Sequence, residues 1–138
     1  MAGYSSKPLV RKLGIKEGYR VCVVGAPPSL GDILGTLPDG VMLAEPSAAQ
    51  LDVVLWFATS RAELEHHVTG MLSRIAVNGM IWICWPKRAS KLQTDLNENA
   101  IRELGLATGW VDIKVCAVDE QWSGLKFVRR LADRGKAA

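Results

Sequence analysis

The sequence predicts a three-layer α/β sandwich: a mainly parallel sheet covered on both faces by helices and closed by a C-terminal antiparallel hairpin. Three observations predict it. Residues 53–58 and 80–85 are apolar on both faces, which suits strands buried from either side. The segments between successive strands are too long for hairpins and carry helical spacing, so right-handed βαβ units follow. Residues 111–117 and 125–129 leave no room for a helix between them and must pair antiparallel. The 138 residues suit one domain, with residues 1–18 as an N-terminal helical segment and residues 132–138 as a frayed tail.

The elements follow in order. Leu9, Val10 and Leu13 share one side of a short helix that Gly14 stops. Arg20-Val21-Cys22-Val23-Val24 is a β-branched first strand, closed by the breaker-rich loop from Gly25 to Gly31. A short helix then ends near Gly35. Pro38-Asp39-Gly40 turns the chain into a brief second strand at residues 41–44, with Glu45-Pro46 at its exit. Helices look shortened or missing between Gly31 and Asp52.

The third strand, residues 53–58, reads as central and not as an edge. Ser60-Arg61-Ala62-Glu63 has capping-box spacing, in which the serine oxygen accepts an orphan amide hydrogen bond and the glutamate reaches back. Leu64, Val68, Met71, Leu72 and Ile75 then form one helical stripe, with Glu63, His66, His67 and Arg74 off it and Asn78-Gly79 as the expected terminator. The fourth strand, residues 80–85, stops at Pro86. A basic loop, residues 87–91, precedes a helix capped by Thr94 or Asp95. That helix carries Leu96, Ala100, Ile101 and Leu104, and Gly105 or Gly109 ends it. In the hairpin, Val111, Ile113, Val115 and Ala117 alternate with Asp112, Lys114 and Cys116.

Composition narrows the function classes. With 49% hydrophobic and 22% charged residues, the chain is neither disordered nor collagen-like. Lys and Arg number 17 against 14 Asp and Glu, so the net charge of +3 implies a polyanionic partner only if the cations cluster. Cys22, Cys84 and Cys116 each lie in an apolar run without metal-ligand spacing and read as buried reduced thiols. The N-terminal residues lack an apolar signal core, and no hydrophobic run approaches the ~20 residues that span a bilayer; a cytoplasmic location without membrane contact is the expectation.

The glycine-ended strand Val21-Cys22-Val23-Val24-Gly25, the turn and strand Asn78-Gly79-Met80-Ile81-Trp82-Ile83, and the terminal hairpin together resemble a trimmed class I S-adenosylmethionine-dependent methyltransferase domain, a Rossmann-like fold. Trp85-Pro86-Lys87 and residues 111–126 resemble an uncharacterised bacterial family classed as a domain of unknown function. The methyltransferase resemblance implies a cofactor site at Gly25, Ser29, Gly31, Glu45, Thr59 and Ser60, with Gly25 as the first glycine of the turn and Glu45 as the acidic residue on the ribose. The turn departs from that pattern. Ala26, Pro27 and Pro28 stand where further glycines would let a ligand reach the backbone, adding bulk and removing two amide donors. The expectation is therefore no bound cofactor, with S-adenosylmethionine as the competing expectation.

Other constellations carry less. His66 and His67 point about 100° apart on a helix and do not both face one ion, so no metal site is expected. Without a Gly-x-Ser-x-Gly elbow no hydrolase triad is expected, and no catalytic residue is assigned. Asp119 and Glu120 in the hairpin loop read as turn formers. The loop at Trp85, Lys87 and Arg88 lies where open α/β sheets gather ligands, and Lys87 or Arg88 can hold a small anionic or nucleotide-like ligand while Trp85 or Trp122 stacks a ring. The structural alternative, Trp85 in the core and cations merely solvating a loop, is favoured. Trp56 and Trp82 read as core. Trp110 and Trp122 flank the hairpin, where an exposed ring would anchor a homodimer. Arg129, Arg130 and Arg134 with the basic loop offer weak nucleic-acid binding as a further alternative. The expected function is a methyltransferase-like domain with reduced catalytic equipment, leaning away from an enzyme and toward a binding or interaction module. The runner-up is a small S-adenosylmethionine-dependent transferase or nucleotide binder.

Overall fold

The computed structural model describes residues 8–134. Its strands are β1 (Arg20–Val24), β2 (Met42–Leu43), β3 (Leu51–Phe57), β4 (Ile75–Pro86), β5 (Val111–Ala117) and β6 (Trp122–Val128). Its helices are α1 (Leu9–Lys12), α2 (Leu30–Leu34), α3 (Arg61–Leu72), α4 (Glu98–Ala107) and α5 (Leu131–Arg134). All six strands form one sheet in the order β2-β1-β3-β4-β6-β5, parallel from β2 to β4 and antiparallel through β6 and β5. The expected parts of the N-terminal segment before Pro8 and of the tail after Arg134 lie outside the described residues. No described helix is long and apolar enough to cross a membrane.

Alternation along the strands splits the core into two layers. On one face Cys22, Val54, Trp56, Ile81, Ile83, Leu125 and Phe127 pack under the α3 stripe and under Ile101 and Leu104 of α4. On the other, Val21, Val53, Leu55, Phe57, Trp82, Cys84 and Trp122 pack under Val10 and Leu13 near α1 and Leu30 of α2. Each large apolar side chain so buried contributes roughly 1.5–3 kcal/mol, which is why the sheet holds without any cross-link. Trp82 is fully buried, and its indole N–H donates to the Leu13 carbonyl at 2.9 Å, fastening α1 to β4. The thin stretch is real. Between α2 and β3 the chain offers one two-residue strand and no helix, and Met42 and Leu43 are exposed there.

Several boundaries differ from the sequence expectation. α3 ends at Leu72, and Asn78-Gly79 lies within β4 instead of ending the helix. Ile75 pairs with Leu51 and Met80 with Val53, so β4 carries extra residues between the two pairs. The Arg129 guanidinium bonds the Ala76 and Ile75 carbonyls at 2.6 and 2.9 Å, satisfying backbone that the irregular ladder leaves free. Gly79 is required because a Cβ there would lie 2.7 Å from the Leu51 carbonyl oxygen. Gly105 does not end α4; it sits inside the helix, where a Cβ would collide with the Phe127 ring. Close helix–sheet approach outweighs the roughly 1 kcal/mol of propensity that glycine forfeits.

Candidate functional site

The parallel register carries the exits of β1, β2 and β3 to one edge of the sheet. Val24 pairs with Trp56, Val21 with Leu43, and the Ala44 amide donates to the Val21 carbonyl. Gly25, Glu45, Thr59 and Ser60 therefore gather at the C-terminal edge, where ligands settle in open α/β sheets. Gly25 has φ of +69° and turns so closely against β3 that a Cβ would collide with the Phe57 carbonyl oxygen. The close approach of β3 to this bend thus leaves no room for a side chain at position 25. Ser29 precedes α2 without a side-chain capping bond, and α2 is only five residues long. Gly31 has no neighbour near the place a Cβ would occupy. Glu45 is exposed.

Thr59 and Ser60 serve the start of α3. Ser60 Oγ accepts from the Glu63 amide at 3.3 Å, so that half of the expected capping box forms. Glu63 itself turns toward the hollow described below. The other partner at this helix end comes from a distant segment. Asp95 Oδ1 accepts from the Arg61 amide at 2.9 Å, and Thr94 Oγ1 donates to the Thr59 carbonyl at 2.6 Å. Neither residue caps α4, which the sequence had suggested. Asn97 does so, its Oδ1 accepting from the Ala100 amide at 2.8 Å. Asp95→Ala is accordingly expected to destabilise the protein by about 0.5–2 kcal/mol, the usual range for a lost helix cap, through α3 and not α4. Urea denaturation combined with amide exchange at residues 61–64 checks it.

Beneath that edge, on the α3 face, a hollow of about 380 Å³ opens between α3 and the exit of β2. Trp56, Val24 and Met71 supply an apolar floor, while Glu63, His66, His67 and Arg74 rim it. Glu63, His66 and His67, read from the sequence as lying off the helical stripe, are exposed as that predicts, and they border this open hollow. It exists because no helix fills the space between β2 and β3. The Arg74 guanidinium ties the rim to the Pro46 carbonyl at 3.0 Å. His66 and His67 set their rings edge to face, 4.6 Å apart. Among the described residues no group of three or more His, Cys, Asp or Glu side chains could hold a metal ion. Only the off-stripe cluster of charged and imidazole groups in α3 signalled this hollow in the sequence.

At the exit of β4 the structure separates the remaining candidates. Trp85 is buried at 6% exposure, and its ring belongs to the α3-side core. Lys87 Nζ donates to the Asp119 carbonyl at 2.7 Å, tying the loop to the hairpin, and Arg88 opens an exposed 3-10 turn. Asp119 is a turn former: its Oδ1 accepts from the Gln121 and Trp122 amides at 2.8 Å each. Trp122 is not the exposed ring expected of it. At 6% exposure it packs edge to face on Phe57, centroids 5.2 Å apart, because β6 lies inside the sheet and β5 forms its edge. A homodimer at the hairpin edge would rest instead on Ile113 and Val115, which are 54% and 44% exposed. A register shift at Ile113 and the neighbouring Lys114 blunt that edge.

The arginines expected to meet nucleic acid are engaged internally. Arg129 also covers the Trp110 ring at 4.7 Å, Arg130 pairs with Asp133 at 3.0 Å, and Arg134 Nε donates to the Arg129 carbonyl. The three cysteines are free and buried, and burial pushes the thiols of Cys22, Cys84 and Cys116 up, which keeps them protonated and unreactive.

Over residues 29–131 the sequence matches a family described as a protein of unknown function, DUF3052. No curated protein matches it. Solved structures of similar fold include a SAM dependent methyltransferase from Aquifex aeolicus, 14% identical, with 86% of each chain covered and a TM-score of 0.63. Another is magnesium protoporphyrin IX methyltransferase from Synechocystis with bound SAH, 13% identical over 88% of this chain and 78% of that one, TM-score 0.59. A third is a TehB-like SAM-dependent methyltransferase from Corynebacterium glutamicum, 10% identical over 94% and 91%, TM-score 0.56. At these identities the likeness is one of fold: the chain has the Rossmann-like methyltransferase architecture.

Proposed function

The chain belongs to the DUF3052 family, and we propose that on its methyltransferase-type fold it works as a binding module that transfers no methyl group. The observation that carries this reading is the Gly25 bend. Its glycine is explained by the Phe57 carbonyl, and the next three residues, Ala26, Pro27 and Pro28, offer bulk and one amide donor where a pyrophosphate- or ribose-type ligand needs bare backbone. The residues present therefore do not fit S-adenosylmethionine, and no methyl-transfer step is derived through it. The competing reading, a small transferase or nucleotide binder, draws on two facts: Gly25, Glu45, Thr59 and Ser60 share one edge, and a structure of similar fold is described with bound SAH.

Thermal melting separates the two. A native-state site with a dissociation constant a hundredfold below the ligand concentration adds about 2.7 kcal/mol of stability, a rise of several degrees. The expected result with S-adenosylmethionine or S-adenosylhomocysteine at about 1 mM, a concentration at which micromolar sites saturate, is an unchanged midpoint. A saturable rise, or a nucleoside recovered by mass spectrometry from protein purified without additives, overturns the reading.

A further inference from the structure

Most arginines of this fold tie the chain to itself, whereas among the described residues Lys87 is the one lysine whose ammonium does so, through the Asp119 carbonyl. All five ion pairs among the described residues use Arg61, Arg102 or Arg130. Arg20, Arg74, Arg129 and Arg134 bond backbone carbonyls. Of the eight lysines in the sequence, five (Lys12, Lys16, Lys87, Lys114 and Lys126) collect on the α1 side of the sheet and around its hairpin. None of these five makes an ion pair among the described residues.

Their placement follows from the topology. The Trp82–Leu13 bond lays α1 across that face of β4, which brings Lys12 to the hollow it lines with Lys87, Val118, Asp119 and Glu120. Across the hairpin Lys114 stands directly opposite Lys126. Like charges so placed destabilise an antiparallel pair. Burial first, then the charges of Lys114 and Lys16, draws the Lys126 ammonium below the usual lysine range. Asp119 and Glu120 line the hollow with Lys12 and Lys87, but Asp119 Oδ1 is engaged by two amides and neither acid forms an ion pair with a lysine among the described residues. The unpaired, facing Lys114 and Lys126 cost the folded chain stability, and that cost calls for an anion from outside.

The form of that anion can be read from the spread. The cations run along the face from Lys87 at the exit of β4 to Lys16 and Lys126, on separate elements and without a common centre, which suits a chain of charges more than a single phosphate. Lysine, a point charge, meets phosphates without the orientation that a guanidinium fork imposes. Trp82 and Trp122, the indoles on this side, are buried, so neither indole is offered to stack on a base. We propose that the lysine face binds the phosphodiester backbone of nucleic acid without reading its sequence. This deepens the binding-module reading by naming a partner, and it uses none of the residues at the Gly25 edge.

Fluorescence anisotropy on the full chain tests it, with a labelled duplex DNA of about 20 base pairs and a single-stranded RNA of the same length, titrated from low to physiological salt. The expected result is binding to both, independent of sequence, with log affinity falling linearly in log salt at about −0.9 per phosphate neutralised on the duplex. Lys16→Glu with Lys114→Glu, both at exposed positions, should weaken binding at least tenfold at low salt. Lys16→Gln with Lys114→Gln should shrink the duplex slope by about 2, and serves alone if the charge-reversed chain does not fold. Arg88→Glu with Lys91→Glu, on the loop beyond β4, should leave binding unchanged. Absence of binding at low salt, or Lys16 and Lys114 double variants that bind as the parent does, overturns the proposal. So does capture by phosphatidylglycerol vesicles without binding to either nucleic acid. A melting rise with S-adenosylmethionine would bear on the Gly25 edge alone, so the two readings fail separately.

Discussion

Replacing Trp82 by alanine should remove a large share of the protein's stability margin. Emptying an indole-sized site costs roughly 3–5 kcal/mol, out of a total that for domains of this kind is about 5–15 kcal/mol. Trp82 is fully buried at the centre of the α1-side layer, and its loss also strands the Leu13 carbonyl that now accepts its N–H at 2.9 Å. Trp82→Phe separates the two effects. It keeps most of the volume and removes the donor, so it should cost about 1–3 kcal/mol, the penalty for a buried acceptor left unpaired. Urea midpoints for the parent and both variants measure the difference. A phenylalanine variant as stable as the parent would show that water reaches the Leu13 carbonyl and that α1 is held by packing alone.

Gly25→Ala should be nearly as damaging, and its readout bears on function. The left-handed conformation at φ of +69° costs an L-residue roughly 1–2 kcal/mol, and a Cβ that must push aside the Phe57 carbonyl adds about 1–3 kcal/mol of overpacking. The expected result is a fall in the urea midpoint equivalent to a few kcal/mol. A glycine kept for a ligand would behave otherwise: the variant would melt near the parent and lose only the ligand-dependent rise. An unchanged midpoint for Gly25→Ala would therefore remove the main support for explaining this glycine by the Phe57 carbonyl.

Much of the fold was legible because its signals are local or periodic. The doubly apolar runs around Trp56 and Trp82 announced central strands, Ser60 announced the start of α3, and the short link between residues 117 and 122 left the last two strands no arrangement but antiparallel. The boundaries that went wrong did so where another element intervenes. Gly105 and Gly79 look like terminators by themselves, and only the Phe127 ring over one and the Leu51 carbonyl beside the other explain them. Thr94 and Asp95 look like caps for the next helix because capping is ordinarily local, yet they reach back to Thr59 and Arg61.

The candidate site divides in the same way. Gly25, Glu45, Thr59 and Ser60 could be assigned to one sheet edge from strand order alone, since parallel strands bring their exits to the same side. The hollow over Trp56 was legible only in part: the missing helix and the off-stripe cluster of α3 could each be read, but not that α3 lies over the gap so that the two meet above Trp56. Trp122 could not be placed. Whether a strand is inside or at the rim depends on the order β4-β6-β5, in which the last strand of the chain inserts between two earlier ones.

By itself, then, the amino-acid sequence determined the α/β class, the succession of strands and helices, the buried thiols and the two prolines of the first turn, because each depends on residues adjacent in the chain or repeating along it. The tertiary structure alone decided that Gly25 answers to Phe57, that Trp122 belongs to the core, and that lysines from α1 and the segment after it, the loop after β4 and the hairpin come to stand together. Contact and charge act through space, and residues a hundred positions apart become neighbours only when the sheet sets its strand order.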